Sequence, residues 1–329
     1  MMNRKPILQP AILIMTILGA ALAWCCDLAA QSNAASTSSP KTMELIRDPH
    51  FQNGFNLQSP TPGKKVIVGK LQPPGVTKEP AWNIAQWHSR FDLKGAKPEK
   101  LDDGAIWFGN QAKAITLADE GDRHDLTLAI DTNPEYDGRA RKNGEPWPHL
   151  LVQQEIRPIQ MLKEFDRIEM SIDAKLLHNK RTELEGYTPR LHTAQLLLTL
   201  IVQDRNPQSQ GYGDFIWLNV SLYDERRPFT DLYASQDTAD PSAKMIYAPP
   251  SRTFTEKSMH DGDWGTIKSD DLLPIIRQGL TTAREKGYLQ KSDNNGDFAV
   301  TSLILGWEVP GVNDVSAQIR DLRFIGHSK

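Results

Sequence analysis

Four segments of this chain alternate residue by residue between two kinds of face, and that alternation limits what the chain can fold into. Residues 147–156 place Leu150, Val152, Gln154 and Ile156 on one side, and Trp147, His149, Leu151, Gln153 and Glu155 on the other. Residues 167–177 set Ile168, Met170, Ile172, Ala174 and Leu176 against Arg167, Glu169, Ser171, Asp173 and Lys175. Residues 192–204 set Ala194, Leu196, Leu198, Leu200 and Val202 against Thr193, Gln195, Leu197, Thr199 and Gln203. Residues 214–225 set Ile216, Leu218, Val220 and Leu222 against Phe215, Trp217, Asn219, Ser221 and Tyr223. A period of two marks a strand buried on one face only. Such strands build antiparallel sheets with one wet face, and here that face carries Trp, Tyr, His, Asn, Gln and Glu. A surface of that kind suits a sugar.

The same reading extends along the chain. Strands are expected at 104–109, 112–118, 124–131, 147–156, 167–177, 192–204, 214–225, 244–248, 298–309 and 316–326, with polar turns such as 133–138 and 204–207 between them. Many short strands joined by turns predict a mostly β fold, an antiparallel β-sandwich of jelly-roll type. One amphipathic helix is expected near 272–286. Asp271 is placed to cap it, Pro274 falls in its first turn, and Leu272, Ile275, Ile276, Leu280 and Ala283 share one face. Between 42 and 102, Val66-Ile67-Val68 is a candidate strand, but Pro60, Pro62, Pro73, Pro74 and Pro80 interrupt regular elements. That stretch is expected to wrap the sheets irregularly, with Trp82 and Trp87 in its best-defined part.

The first residues read as a leader rather than as part of the fold. Arg4 and Lys5 precede an apolar run from Ala11 to Cys26, and small residues follow. This is the pattern of a signal peptide over 1–30, with a flexible linker over 31–41 and a single domain over 42–329. The expected destination is secreted, periplasmic or cell-surface. Leu22-Ala23-Trp24-Cys25 is similar to a bacterial lipoprotein box, but Trp24 stands where a small residue belongs, which disfavours anchoring at Cys25. Membrane attachment is expected only if the leader is retained or lipidated. Cys25 and Cys26 are the chain's two cysteines, so removal of the leader leaves no thiol chemistry.

The chain's net charge of −3 offers no basic surface for nucleic acid. There is no P-loop, dinucleotide fingerprint, Gly-x-Ser-x-Gly elbow or His-Glu-x-x-His, so no nucleotide partner, serine-hydrolase centre or zincin centre is expected.

The C-terminal stretch has a distinct layout. An amphipathic connection follows His260-Asp261-Gly262-Asp263-Trp264, then a strand runs Phe298 to Val309, and the chain closes with Val315 to Ile325. This layout resembles the last strands of β-jelly-roll carbohydrate-binding modules and of concanavalin A-like sugar enzymes, without a specific family signature. The resemblance implies a two-sheet jelly roll whose concave face meets a glycan. It transfers no catalytic residue.

The candidate site follows from phase. A glycan cleft needs aromatic platforms for sugar C–H faces and planar groups for hydroxyls. Trp147, Trp217 and Tyr223 are the platforms; His149, Gln153, Gln195 and Asn219 are the hydroxyl partners. The expected partner is a polysaccharide or glycan. If bonds are broken, the reaction is glycoside hydrolysis, or less readily lyase chemistry, and Glu155 with Glu308 is the carboxylate pair, Glu169 and Asp173 being reserves. Gly306 would leave room for a ligand beside Glu308. A lyase would draw on His149, Tyr223, Arg139, Arg141 and Arg226, although 139–144 reads first as a solvated hairpin tip. A third possibility is a structural or surface-assembly protein in which the aromatics fill a second core. No cofactor and no catalytic metal is expected; Asp293-Asn294-Asn295-Gly296-Asp297 is the one candidate for a structural calcium.

Overall fold

A computed structural model describes residues 41–121, 123–236 and 244–329. The expected leader, the lipobox cysteines and nearly all of the linker lie outside the described residues. Among the described residues, no helix is long and apolar enough to cross a membrane.

The strands run in chain order β1 Thr42–Glu44, β2 Phe55–Gln58, β3 Ile67–Leu71, β4 Trp82–Ala85, β5 Glu99–Lys100 and β6 Ile106–Gly109. Next come β7 Lys113–Glu120, β8 Arg123–Asp131, β9 His149–Glu155, β10 Phe165–Arg181, β11 Gln195–Asp204 and β12 Phe215–Asp224. The chain finishes with β13 Tyr233–Gln236, β14 Met245–Ala248, β15 Gly265–Ser269, α1 Leu273–Glu285, β16 Phe298–Glu308 and β17 Asn313–Ser328.

These strands form two sheets. Sheet A has eight strands in the order β15-β10-β17-β8-β7-β6-β5, with β1 paired to β17. Sheet B has nine, in the order β13-β14-β12-β11-β16-β9-β4-β2-β3. Pairing is antiparallel except for β2 beside β4 and β12 beside β14. The fold is therefore the mostly β two-sheet sandwich that the alternation predicts, with two parallel pairs added to an antiparallel plan.

The apolar phase of each strand faces the other sheet. Leu150 and Val152 of β9, Leu196, Leu198 and Leu200 of β11, and Leu303 and Leu305 of β16 are fully buried. They share one core with Met170 and Ile172 of β10 and Val315, Ala317 and Ile319 of β17. Trp307 crosses that core, and its indole N–H donates to the Leu128 carbonyl of β8 at 3.0 Å.

The stretch 42–102 departs from the expected irregular wrapping. β2, β3 and β4 extend sheet B beyond β9, and β5 adds to the edge of sheet A. Prolines confine these strands to five residues or fewer but do not prevent them. Trp82 is buried and donates its indole N–H to the Asp48 carbonyl at 2.7 Å.

The helix lies where the sequence places it. The N-cap position is Leu272 rather than Asp271; Asp271, just before it, accepts the backbone N–H groups of Leu273 (3.0 Å) and Ile168 (3.2 Å), so one carboxylate ties the start of the helix to β10. The buried positions Leu273, Ile276, Leu280 and Ala283 pack toward β12 and β14. α1 thus covers the end of sheet B.

Candidate functional site

The outward positions of sheet B form rows across its strands, and the register gives each row. His149 of β9 pairs with Glu308 of β16, Glu308 with Gln195 of β11, and Gln195 with Asp224 of β12. One step along, Ala85, Leu151, Gly306, Leu197 and Ser221 align. The next row holds Asn56, Asn83, Gln153, Ile304, Thr199 and Asn219. Beyond it lie Glu155, Ser302, Ile201, Trp217 and Ile246. Seven of the nine predicted site residues thus lie on these outward rows, and Trp147 joins them from the residues just before β9.

At the His149 end the side chains form a cluster. The Trp147 ring stacks on His149 with centroids 5.8 Å apart, and its indole N–H points at Glu308 Oε2, 3.4 Å away. Trp87 meets the same imidazole edge-on at 5.5 Å. His149 Nε2 lies 3.8 Å from Glu308 Oε2, and Nδ1 has no hydrogen-bond partner among the described residues. Burial disfavours the imidazolium and brings the His149 pKa down to about 4, so His149 is neutral at neutral pH. Burial pushes the Glu308 carboxyl up, against the smaller opposing effect of the Trp147 N–H. The two therefore do not form an ion pair at neutral pH.

At the other end Trp217 is half-buried, edge-on to Phe215 at 5.3 Å, and its indole nitrogen has no partner among the described residues. Trp217, Trp87 and Ile201 pack on a small apolar patch of Ala85, Leu151 and Ile304. Part of the aromatic surface is thus spent covering the sheet, while Trp147 and Trp217 stay half-buried. Between the two ends the amides are prearranged. Gln153 Nε2 donates to Gln58 Oε1 at 2.7 Å, and Thr199 Oγ1 to Asn219 Oδ1 at 3.0 Å. Gln195 Nε2 donates to Asp224 Oδ2 at 2.9 Å.

Several expectations need correction. Tyr223 is not on this face. The ladder slips between Leu196 and Leu197, where β12 carries one extra residue, and the bulge turns every later side chain over. Tyr223 therefore points into the core, edge-on to Trp307 at 5.9 Å, with its hydroxyl accepting from Asn179 Nδ2 at 2.8 Å. Asp224 takes the outward position. Burial raises its carboxyl, but the Arg226 guanidinium and N–H and the Gln195 amide outweigh that and hold it below the ordinary range.

Glu155 and Glu308 are not a catalytic pair. Glu308 pairs with His149, which lies six residues from Glu155 along β9, so the two carboxyl-bearing positions are about 20 Å apart along the ladder. Glycoside hydrolysis needs roughly 5–10 Å. Glu155 is instead exposed, bonded to Lys65 (2.9 Å) and Arg157 (3.1 Å), which draw its carboxyl below the usual range. The reserves Glu169 and Asp173 belong to β10 in sheet A, on the opposite surface of the sandwich. There Glu169 pairs with Arg167 (2.7 Å) and Asp173 accepts from Thr266 (2.6 Å).

Gly306 has another reason than ligand space. Its φ is +150°, and a Cβ there would stand 2.2 Å from the Leu150 carbonyl of β9. Arg141 is not at a solvated tip. It is buried, donates to the carbonyls of Pro310 (3.0 Å), Glu145 (2.6 Å) and Leu191 (2.7 Å), and lies 5.2 Å from the Trp147 ring. The suggested calcium loop spends its oxygens internally. Asn294 accepts from the Gly296 N–H, Asn295 from Arg284, and Asp297 from Asn206 and Lys163.

No protein-family model matches the chain. No curated protein matches it either. Among solved structures, endoglucanase Cel12A from Rhodothermus marinus is similar at 10% identity with a TM-score of 0.39, covering 75% of this chain and 99% of that one. A family 12 xyloglucanase from Bacillus licheniformis, in complex with ligand, is similar at 9% identity and a TM-score of 0.39, covering 70% and 97%. The xyloglucanase domain of NopAA, a type three effector from Sinorhizobium fredii, in complex with cellobiose, is similar at 12% identity and a TM-score of 0.35, covering 71% and 99%. Likeness of this degree assigns neither a family nor an activity to this chain.

Proposed function

We propose that this is an exported protein that binds an uncharged glycan along the outer face of sheet B. The observation that supports the reading is the row structure of that face. Half-buried indoles stand at both ends, and hydrogen-bonding amides and hydroxyls lie between them, on contiguous strands. Aromatic faces with planar amides are what pyranose rings require. The ionisable groups on the face are neutral or paired: His149 is neutral, Asp224 is held by Arg226, Glu155 by Lys65 and Arg157, and burial resists the ionisation of Glu308. A polyuronate would find no free cation among them. The apolar leader agrees with a glycan met outside the cytoplasm.

Binding is favoured over hydrolysis by the same geometry. The acid that shares Glu308's row is Asp224, two strand spacings or about 10 Å away. Its carboxylate is buried and engaged by Arg226 and Gln195, so it is not open to a water or a sugar carbon.

The test is retention of the full chain on insoluble neutral polysaccharides, with polyuronates as the contrast and mass spectrometry of the soluble phase. Trp147→Ala and Trp217→Ala are each expected to weaken retention while unfolding stays cooperative, and no oligosaccharide is released. Retention untouched by both substitutions overturns the assignment to this face. Oligosaccharides with new reducing ends, released by the wild type, move the reading to hydrolysis.

A further inference from the structure

The wall of the face beside His149 is not built by sheet B alone. Residues 86–91 leave β4 and carry Trp87 and His88. The His149 backbone N–H donates to the Trp87 carbonyl at 3.1 Å, and the Trp87 and His88 rings lie 5.5 and 6.1 Å from the His149 ring. His88 has φ +58°, a left-handed conformation that a non-glycine residue keeps only when its surroundings impose it.

The His88 N–H donates to the Pro60 carbonyl at 3.0 Å and the Ser89 N–H to the Gln86 carbonyl at 3.4 Å, and the residues that follow are held from sheet A. Lys113 of β7 and Glu135 of the short turn after β8 form an ion pair of 2.8 Å, with side chains 0% and 2% exposed. Every other hydrogen bond of their charged ends reaches residues 89–91. Glu135 accepts the Ser89 hydroxyl at 2.6 Å and the Arg90 backbone N–H at 2.7 Å. Lys113 Nζ donates to the Phe91 carbonyl at 3.3 Å and to the Ser89 hydroxyl. Arg90 closes the ring of contacts, its guanidinium reaching the Glu135 carbonyl (3.1 Å) and Asp137 (2.6 Å). Burial pushes the Glu135 carboxyl up, but Lys113, Ser89 and Arg90 outweigh it, so Glu135 remains an ionised acceptor.

A buried ion pair adds little net stability, because desolvation offsets its attraction. The outcome of this pair is therefore placement. We infer that Lys113 and Glu135 are positioning residues: from sheet A they fix the 86–91 turn and so hold Trp87 and His88 against His149. The consequence for ligand affinity rests on the glycan-binding reading; the placement itself does not.

The test uses the full chain with Lys113→Met and Glu135→Leu combined, since apolar replacement of a whole buried pair is commonly tolerated. Ser89→Ala is the milder second variant. The groups facing His149 are Glu308, His88, Trp87, Trp147 and, more distantly, Lys113, so its imidazole reports on the turn. The expected result is that NMR shows displaced His149 ring resonances in the double variant, and a smaller displacement in Ser89→Ala. Ser89→Ala, which keeps the Lys113 charge that itself lowers the His149 pKa, is the variant in which an upward titration reports the turn. Retention on the neutral glycan that the wild type prefers should fall about tenfold, as expected for loss of an aromatic contact worth about 1.4 kcal/mol. Unchanged His149 resonances in either folded variant overturn the inference, as does an unchanged titration in Ser89→Ala, whatever happens to retention. Changed resonances with unchanged retention support the placement and count against the glycan reading.

Discussion

The sharpest consequence of the site geometry is an acid sensitivity that originates at His149. Its side chain is 9% exposed between Trp87 and Trp147, and its pKa is about 4 against an ordinary 6.5. Between those values the unfolded chain binds a proton that the folded chain refuses. Stability from this group is therefore complete above pH 6.5 and is lost as pH falls toward 4. That difference corresponds to about 3 kcal/mol. Glu308 acts in the opposite sense. Its raised folded pKa gives a contribution that is present below its unfolded value and is lost as pH rises through the folded one. A protonated His149, 3.8 Å away, would also favour the Glu308 carboxylate, so the two titrations are coupled. The clean comparison is therefore Glu308→Gln against Glu308→Gln with His149→Phe. Urea unfolding followed by circular dichroism at several values from pH 7 to pH 4 measures both. The chain that keeps His149 should lose about 3 kcal/mol more over that range than the chain that lacks it. Parallel stability curves for the two would refute the claim that burial holds His149 neutral.

Other substitutions follow from particular contacts. Gly306→Ala drives a methyl group against the Leu150 carbonyl and should destabilise by more than about 4 kcal/mol or prevent folding, read from expression and thermal unfolding. Tyr223→Phe removes the bond from Asn179 and should reduce stability by about 1 kcal/mol while leaving glycan retention intact; weakened retention would put Tyr223 back on the binding face. Glu155→Gln breaks two exposed ion pairs and should change stability by less than about 1 kcal/mol, with the same products, or lack of them, as the wild type.

Much of this architecture is legible in the chain because it is written in local periods. A strand's two faces follow from alternation within ten residues, so Leu150, Val152, Leu198 and Leu305 read as core and His149, Gln153, Trp217 and Asn219 as outward before any pairing is known. The helix declares itself equally locally, through Asp271, Pro274 and the spacing of its buried face. Pairing is not local. Which strands lie side by side, and in what register, depends on backbone hydrogen bonds between separate segments, about 150 residues apart for β9 and β16. Phase alone therefore placed Glu155 and Glu308 on one face without showing that the ladder keeps them about 20 Å apart. It also put 167–177 with the other three segments, although β10 joins the opposite sheet. A bulge is invisible for the same reason: one unpaired residue in β12 sends Tyr223 inward and Asp224 outward, and nothing in the local alternation marks it. The sequence by itself determined the class of fold and the chemistry available on one face. Only the tertiary structure decided which of those groups meet, because a period constrains direction, and distance is set by the partner strand.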